Sequence, residues 1–74
     1  MENRPLDFLN FCKDKKVVVI NKNKLEIKGI LVSFDIHINL VLKDAELYDR
    51  DKTIKKKDIF LRGDDIVLVY QDKK

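Results

Sequence analysis

The sequence has no tryptophan and only one cysteine (Cys12), one histidine (His37), one proline (Pro5), one alanine (Ala45) and two glycines (Gly29 and Gly63). A lone cysteine excludes an internal disulfide and a thiolate zinc cluster. A lone histidine argues against a metal site built by one chain, so neither cofactor nor metal is expected. No stretch approaches the roughly 20 apolar residues that span a bilayer. The opening MENRPLDFLNF lacks a basic segment followed by a long apolar run, so no secretory signal is expected and the protein reads as cytoplasmic. No internal repeat or low-complexity linker interrupts the chain. Neither sign of charge dominates: 16 basic against 13 acidic residues leave +3, a mixed surface rather than a basic tail. In an assembly that excess multiplies with each copy, and a basic ring attracts polyanions.

The 74 residues make one domain, 1–74. A chain this short buries only about 60% of its unfolded surface, and its core supplies about 3–5 kcal/mol. With disulfide and metal set aside, oligomerisation is the remaining source of added stability. Isoleucine and valine together number fifteen; β-branched residues favour strands, so the chain is mainly β. The start is the exception. Pro5 suits the first position of a helix, Asp7 lies where the helix dipole favours negative charge, and Leu6, Leu9, Phe8 and Cys12 stand at helical spacings. A helix is expected over 5–12, too short to stand without packing. Strand-like runs follow at 17–21, 25–34, 38–48, 53–61 and 66–71, separated by polar or charged turns. Gly29 interrupts the second, as a glycine does where a strand bends or another backbone comes close. Lys55, Lys56 and Lys57 lie mid-strand, a pattern that blocks unwanted pairing at a sheet edge. The expected architecture is a short helix on a strongly bent five-stranded antiparallel sheet, a small barrel.

The segment FDIHINLVL (34–42) alternates. If extended, it places Phe34, Ile36, Ile38 and Leu40 on one face, suited to a core, and Asp35, His37 and Asn39 on the other. That polar row is either ordinary solvent-facing polarity or a binding surface. Asp35 beside His37 looks like a catalytic pair. However, no nucleophile stands in a fixed relation to them and no glycine-rich phosphate loop is present, so a binding protein rather than an enzyme is expected.

Two segments together, GILVSFDIHINLVLKDA (Gly29 to Ala45) and IFLRGDDIVLVY (Ile59 to Tyr70), resemble the paired motifs of the Sm and Sm-like (Lsm) family, in its archaeal-type branch. The matches are Gly29, Asp35, His37, Asn39, Arg62, Gly63 and Asp64, and RPLDFLN is similar to the family's N-terminal helix. The bacterial Hfq branch fits less well, because the Lys-His of its second motif is missing. The resemblance implies the Sm fold, with subunits closing into a homo-oligomeric ring, commonly a heptamer, by pairing the fourth strand of one with the fifth of the next. It also implies that uridine-rich single-stranded RNA is bound, one nucleotide per subunit, at the central pore. RNA processing or ribonucleoprotein assembly is the implied role, with other RNA-processing proteins as further partners.

The resemblance places RNA binding on His37, Asn39 and Arg62. The chemistry suits them: imidazole and guanidinium can cover the two faces of a base, and an amide can read the edge of a uracil. Asp35, Gly63 and Asp64 are expected to support the pocket, Gly63 by adopting a backbone conformation that other residues resist, and Asp64 by holding Arg62 or its loop. Cys12 is read as a small apolar residue of the helix. Tyr48 and Tyr70 are read as packing or interface residues. The competing reading is a ring-shaped scaffold for protein assembly without base preference.

Overall fold

The computed structural model describes residues 4–73. Met1 to Asn3 and Lys74, part of the expected 1–74 domain, lie outside the described residues. Arg4 is extended, and Pro5 starts helix α1 (Pro5–Cys12), with Asp7 in its first turn. The pyrrolidine ring is harmless there because the first N–H groups have no intrahelical partner. Leu9 and Cys12, three apart and so on one helix face, are the buried positions of α1. Burial also pushes the Cys12 thiol above its ordinary pKa, keeping it protonated. The chain leaves the helix through Asp14, whose φ is 67°. The link is then pinned to the sheet by Asp14 N–H donating to the Leu31 carbonyl at 2.7 Å and Leu31 N–H donating to that of Lys15 at 3.0 Å.

Five strands follow: β1 (Lys16–Asn21), β2 (Glu26–Phe34), β3 (Leu40–Asp49), β4 (Lys52–Leu61) and β5 (Ile66–Gln71). They form one sheet in the order β4-β3-β2-β1-β5, antiparallel throughout. Within the single chain, β4 and β5 are therefore the edges. Strand β1 is buried on both faces through Val17, Val18 and Val19. The helix residues Leu9 and Cys12 join Val17, Val19, Ile27, Leu31, Leu40 and Leu42 in one core.

The bend comes at Gly29. The β2–β3 register shifts between Lys28 and Ile30, and a Cβ on Gly29 would lie 3.1 Å from the Lys43 carbonyl oxygen and 3.2 Å from Leu42 Cβ. The glycine serves close approach rather than an unusual dihedral, since no glycine has positive φ. Asp44 (φ 51°) takes up the turn on the partner strand.

Segment 34–42 departs from the alternation read in the sequence. β2 ends at Phe34 and β3 begins at Leu40 rather than Ile38, so Asp35, His37 and Asn39 are not a row on a strand face but members of a loop. Ile36 is 75% exposed, outside the core to which alternation assigned it, whereas Leu40 is fully buried. The reason is local. Ile38 has φ 63°, incompatible with a strand, and its N–H donates back to the Asp35 carbonyl at 3.0 Å.

Candidate functional site

Asp35 organises the β2–β3 loop. One carboxylate oxygen, Oδ1, accepts the backbone N–H groups of His37 at 2.9 Å and Asn39 at 3.1 Å. The other, Oδ2, accepts the Asn39 side-chain amide at 3.0 Å. An aspartate that bonds to N–H groups a few residues ahead is the ordinary way a short polar side chain replaces strand pairing with a turn. These bonds favour the charged form, so the Asp35 pKa lies below its ordinary value, chiefly through the Asn39 amide.

The β4–β5 connection is a single 3-10 turn, Gly63–Asp65, entered from an extended Arg62. The Asp65 N–H donates to the Arg62 carbonyl at 3.1 Å, and the Lys22 N–H donates to that of Asp65 at 2.9 Å, tying the β1–β2 loop alongside. The two motif segments pair along β3 and β4, Leu40 opposite Leu61 and Val41 opposite Phe60, and a side-chain bond joins their loops: the Gly63 N–H donates to Asn39 Oδ1 at 2.7 Å. Gly63 was expected to adopt a conformation reserved for glycine, but its φ is not positive. What excludes a side chain is proximity, because a Cβ there would lie 1.8 Å from the His37 carbonyl oxygen.

Asn39 is held at both ends of its amide. Gly63 offers a donor and so requires the oxygen; Asp35 offers a carboxylate and so requires the nitrogen. The orientation is therefore determined chemically. One N–H and one lone pair of the amide remain for a ligand. Arg62 donates to Asp64 Oδ2 at 3.1 Å, with both side chains largely exposed. Such an exposed pair orients the guanidinium more than it stabilises the fold.

His37, Asn39, Phe60, Arg62, Gly63 and Asp64 line one open pocket of about 490 Å3. Asp35 stands behind it, acting through Asn39. Phe60 is the lining residue that sequence reasoning missed. In the sequence it is one letter of an apolar run, IFL. In the structure it belongs to an edge strand and is 63% exposed. The only available signal was its position two residues before Arg62, which alternation puts on Arg62's face of the strand. The pocket thus presents an imidazole, a guanidinium, a phenyl ring and an oriented amide, flat groups suited to a planar heterocycle. Among the described residues no cluster of His, Cys, Asp or Glu is placed to hold a metal, and no helix is long and apolar enough to cross a membrane.

Residues 7–71 match the family profile described as the LSM domain. The chain belongs to the LSM family. A Pyrococcus horikoshii relative, named provisionally an snRNP Sm-like protein, is 41% identical to this LSM chain over 70 residues, covering 93% of each. A Pyrococcus abyssi Sm protein solved in complex with a uridine heptamer superposes with a TM-score of 0.88 at 37% identity, covering 95% of this chain and 100% of the other. The P. aerophilum SmAP1 heptamer superposes with a TM-score of 0.91 at 30% identity over the whole of both chains. The LSM chain therefore has the Sm fold, with its short helix and strongly bent five-stranded sheet, as the paired motifs implied.

Proposed function

We propose that the protein assembles into a closed ring, a heptamer, and binds uridine-rich single-stranded RNA at the pore, one nucleotide per subunit. In this reading His37 and Arg62 stack on the base while Asn39 reads its edge. The observation that carries the reading is the two-ended restraint of Asn39 by Asp35 and Gly63. Uracil presents a donor at N3 and an acceptor at O4; cytosine presents an acceptor at N3 and a donor at N4. An unrestrained amide could turn over to suit either. Turning this one would set its N–H against the Gly63 N–H and its oxygen against the Asp35 carboxylate. With the base placed by the stacking groups, this reading has the fixed amide meet N3–H with its oxygen and O4 with its N–H, the pair that uracil offers.

Ring formation is supported by the two edge strands, which carry exposed apolar side chains, Ile54 on β4 and Val67, Leu68 and Tyr70 on β5. A head-to-tail pairing that closes covers every edge at once, and heptameric neighbours of the same fold support the count. The complex of the P. abyssi neighbour with a uridine heptamer supports the ligand class. Several weak pockets around one pore bind a run of uridines with avidity that a single nucleotide lacks, and no covalent chemistry is involved. The role that follows is RNA processing or ribonucleoprotein assembly in the cytoplasm, acting on small RNAs or RNA 3′ tails.

The test is fluorescence anisotropy with labelled oligouridine and oligocytidine of equal length at low and moderate salt. Tighter oligouridine binding that keeps its margin as salt rises is the expected result. Equal binding that collapses with salt would reduce recognition to charge and leave the ring as a scaffold.

A further inference from the structure

Ile38 is a β-branched residue at φ 63°, where such side chains are genuine outliers and where glycine or asparagine fit at little cost. Strain of this kind persists only where the surroundings over-determine it. Here they do. The Ile38 side chain packs against the core cluster and its N–H is taken by the Asp35 carbonyl. A Cβ on Gly63 would come within 2.9 Å of the Ile38 carbonyl carbon, so the two loops are in close contact at this point.

The neighbours of Ile38 explain what the strain accompanies. Asn39 is restrained through its side chain, by Asp35 and Gly63. His37 is held only through its backbone, by its N–H on Asp35. Among the described residues its imidazole has no hydrogen-bond partner, only a charge interaction with Asp35, so the main chain at 37–38 sets the point and the bond direction from which the ring projects. We propose that Ile38 is a positioning residue of the pocket: its side chain, packed against the core, holds the left-handed turn that aims the His37 imidazole at the ligand. This rests on the pocket being the nucleotide site. A glycine or asparagine at 38 would relax the dihedral but remove the anchor. Leucine keeps the anchor and moves its branch away from the crowded backbone.

The experiment compares Ile38→Ala and Ile38→Leu with the parent protein on rings verified by light scattering. Two quantities are read: affinity for oligouridine, and, without RNA, the imidazole C–H proton resonances. Those signals need no assignment because His37 is the single histidine. The expected result is that Ile38→Ala weakens oligouridine binding about tenfold, the loss of a well-presented stacking contact. Its imidazole signals narrow and move toward those of a free side chain, and Ile38→Leu restores both. If Ile38→Ala does not assemble, Ile38→Val, with a shorter anchor, carries the same comparison.

Unchanged imidazole signals and affinity in an assembled Ala or Val variant would overturn the proposal, as would failure of leucine to restore them. If the parent protein does not bind oligouridine, the reading of the pocket falls. The imidazole signals then still decide whether Ile38 positions His37.

Discussion

The amide oxygen of Asn39 lies 2.7 Å from the Gly63 nitrogen, 24 residues along the chain. This bond makes one pocket out of two loops. Replacing Asn39 with alanine removes the partner of a half-buried N–H and the group that would read the base. We expect a loss of about 1–3 kcal/mol in stability, measured by denaturant unfolding, and a fall in the preference for oligouridine over oligocytidine larger than the fall in total affinity. Equal losses for both oligomers would contradict base reading by Asn39.

Asp35→Asn tests the orientation argument separately. An asparagine at 35 can accept or donate toward residue 39, so the amide of Asn39 is no longer held one way round. Affinity for oligouridine should drop modestly while affinity for oligocytidine holds or rises, read as the ratio of the two dissociation constants. A ratio that stays at the parent value would show that Asp35 does not set the orientation.

Gly63→Ala places a methyl group 1.8 Å from the His37 carbonyl oxygen, a collision with backbone rather than with a side-chain tip. The loops must separate, at a cost of about 1–3 kcal/mol or more, as for other overpacked sites. Thermal unfolding should register that loss, and oligouridine binding should fall with it. Because φ at Gly63 is not positive, the cost is crowding rather than dihedral strain.

The pH dependence follows from Asp35, whose pKa is held low first by the Asn39 amide and then by the two backbone N–H groups. A folded-state pKa below the unfolded one means that folding favours the charged carboxylate. The contribution of the loop clamp is then complete above the unfolded value and is lost as pH falls through the depressed folded value. In a His37→Ala background, Asn39 side-chain amide resonances should therefore stay unchanged from neutral pH down to about pH 5 and shift only in stronger acid, at or below the ordinary aspartate range near 4. A transition between pH 5 and 7 would contradict the clamp.

Arg62→Lys keeps the charge and removes the plane. The salt dependence of RNA binding, which counts phosphate neutralisation, should be unaltered, whereas oligouridine affinity at fixed salt should drop because an ammonium cannot cover a base face. Slope and affinity that both stay at the parent values would instead mark Arg62 as a phosphate contact, which an ammonium serves as well.

What the sequence determined on its own is what depends on neighbours along the chain. Pro5 and Asp7 started a helix whose apolar face was readable from spacing. Runs of valine and isoleucine marked strands, and Gly29 marked the bend. The pairing of two motifs at a set separation carried the family. What only the tertiary structure decided lies where distant segments touch. Alternation could not reveal that 35–39 leaves the strand, because Asp35's bonds to the loop backbone, backed by the Asn39–Gly63 contact, outweigh β-propensity there. It placed Ile36 in a core that the turn at Ile38 denies it. Gly63 is a glycine because the His37 carbonyl, 26 residues earlier in the chain, leaves no space for a Cβ. Phe60 becomes part of the pocket because β4 is an edge strand, a fact of sheet order. Local periodicity reports which face a residue prefers; only the packed backbone sets which groups lie within hydrogen-bonding distance.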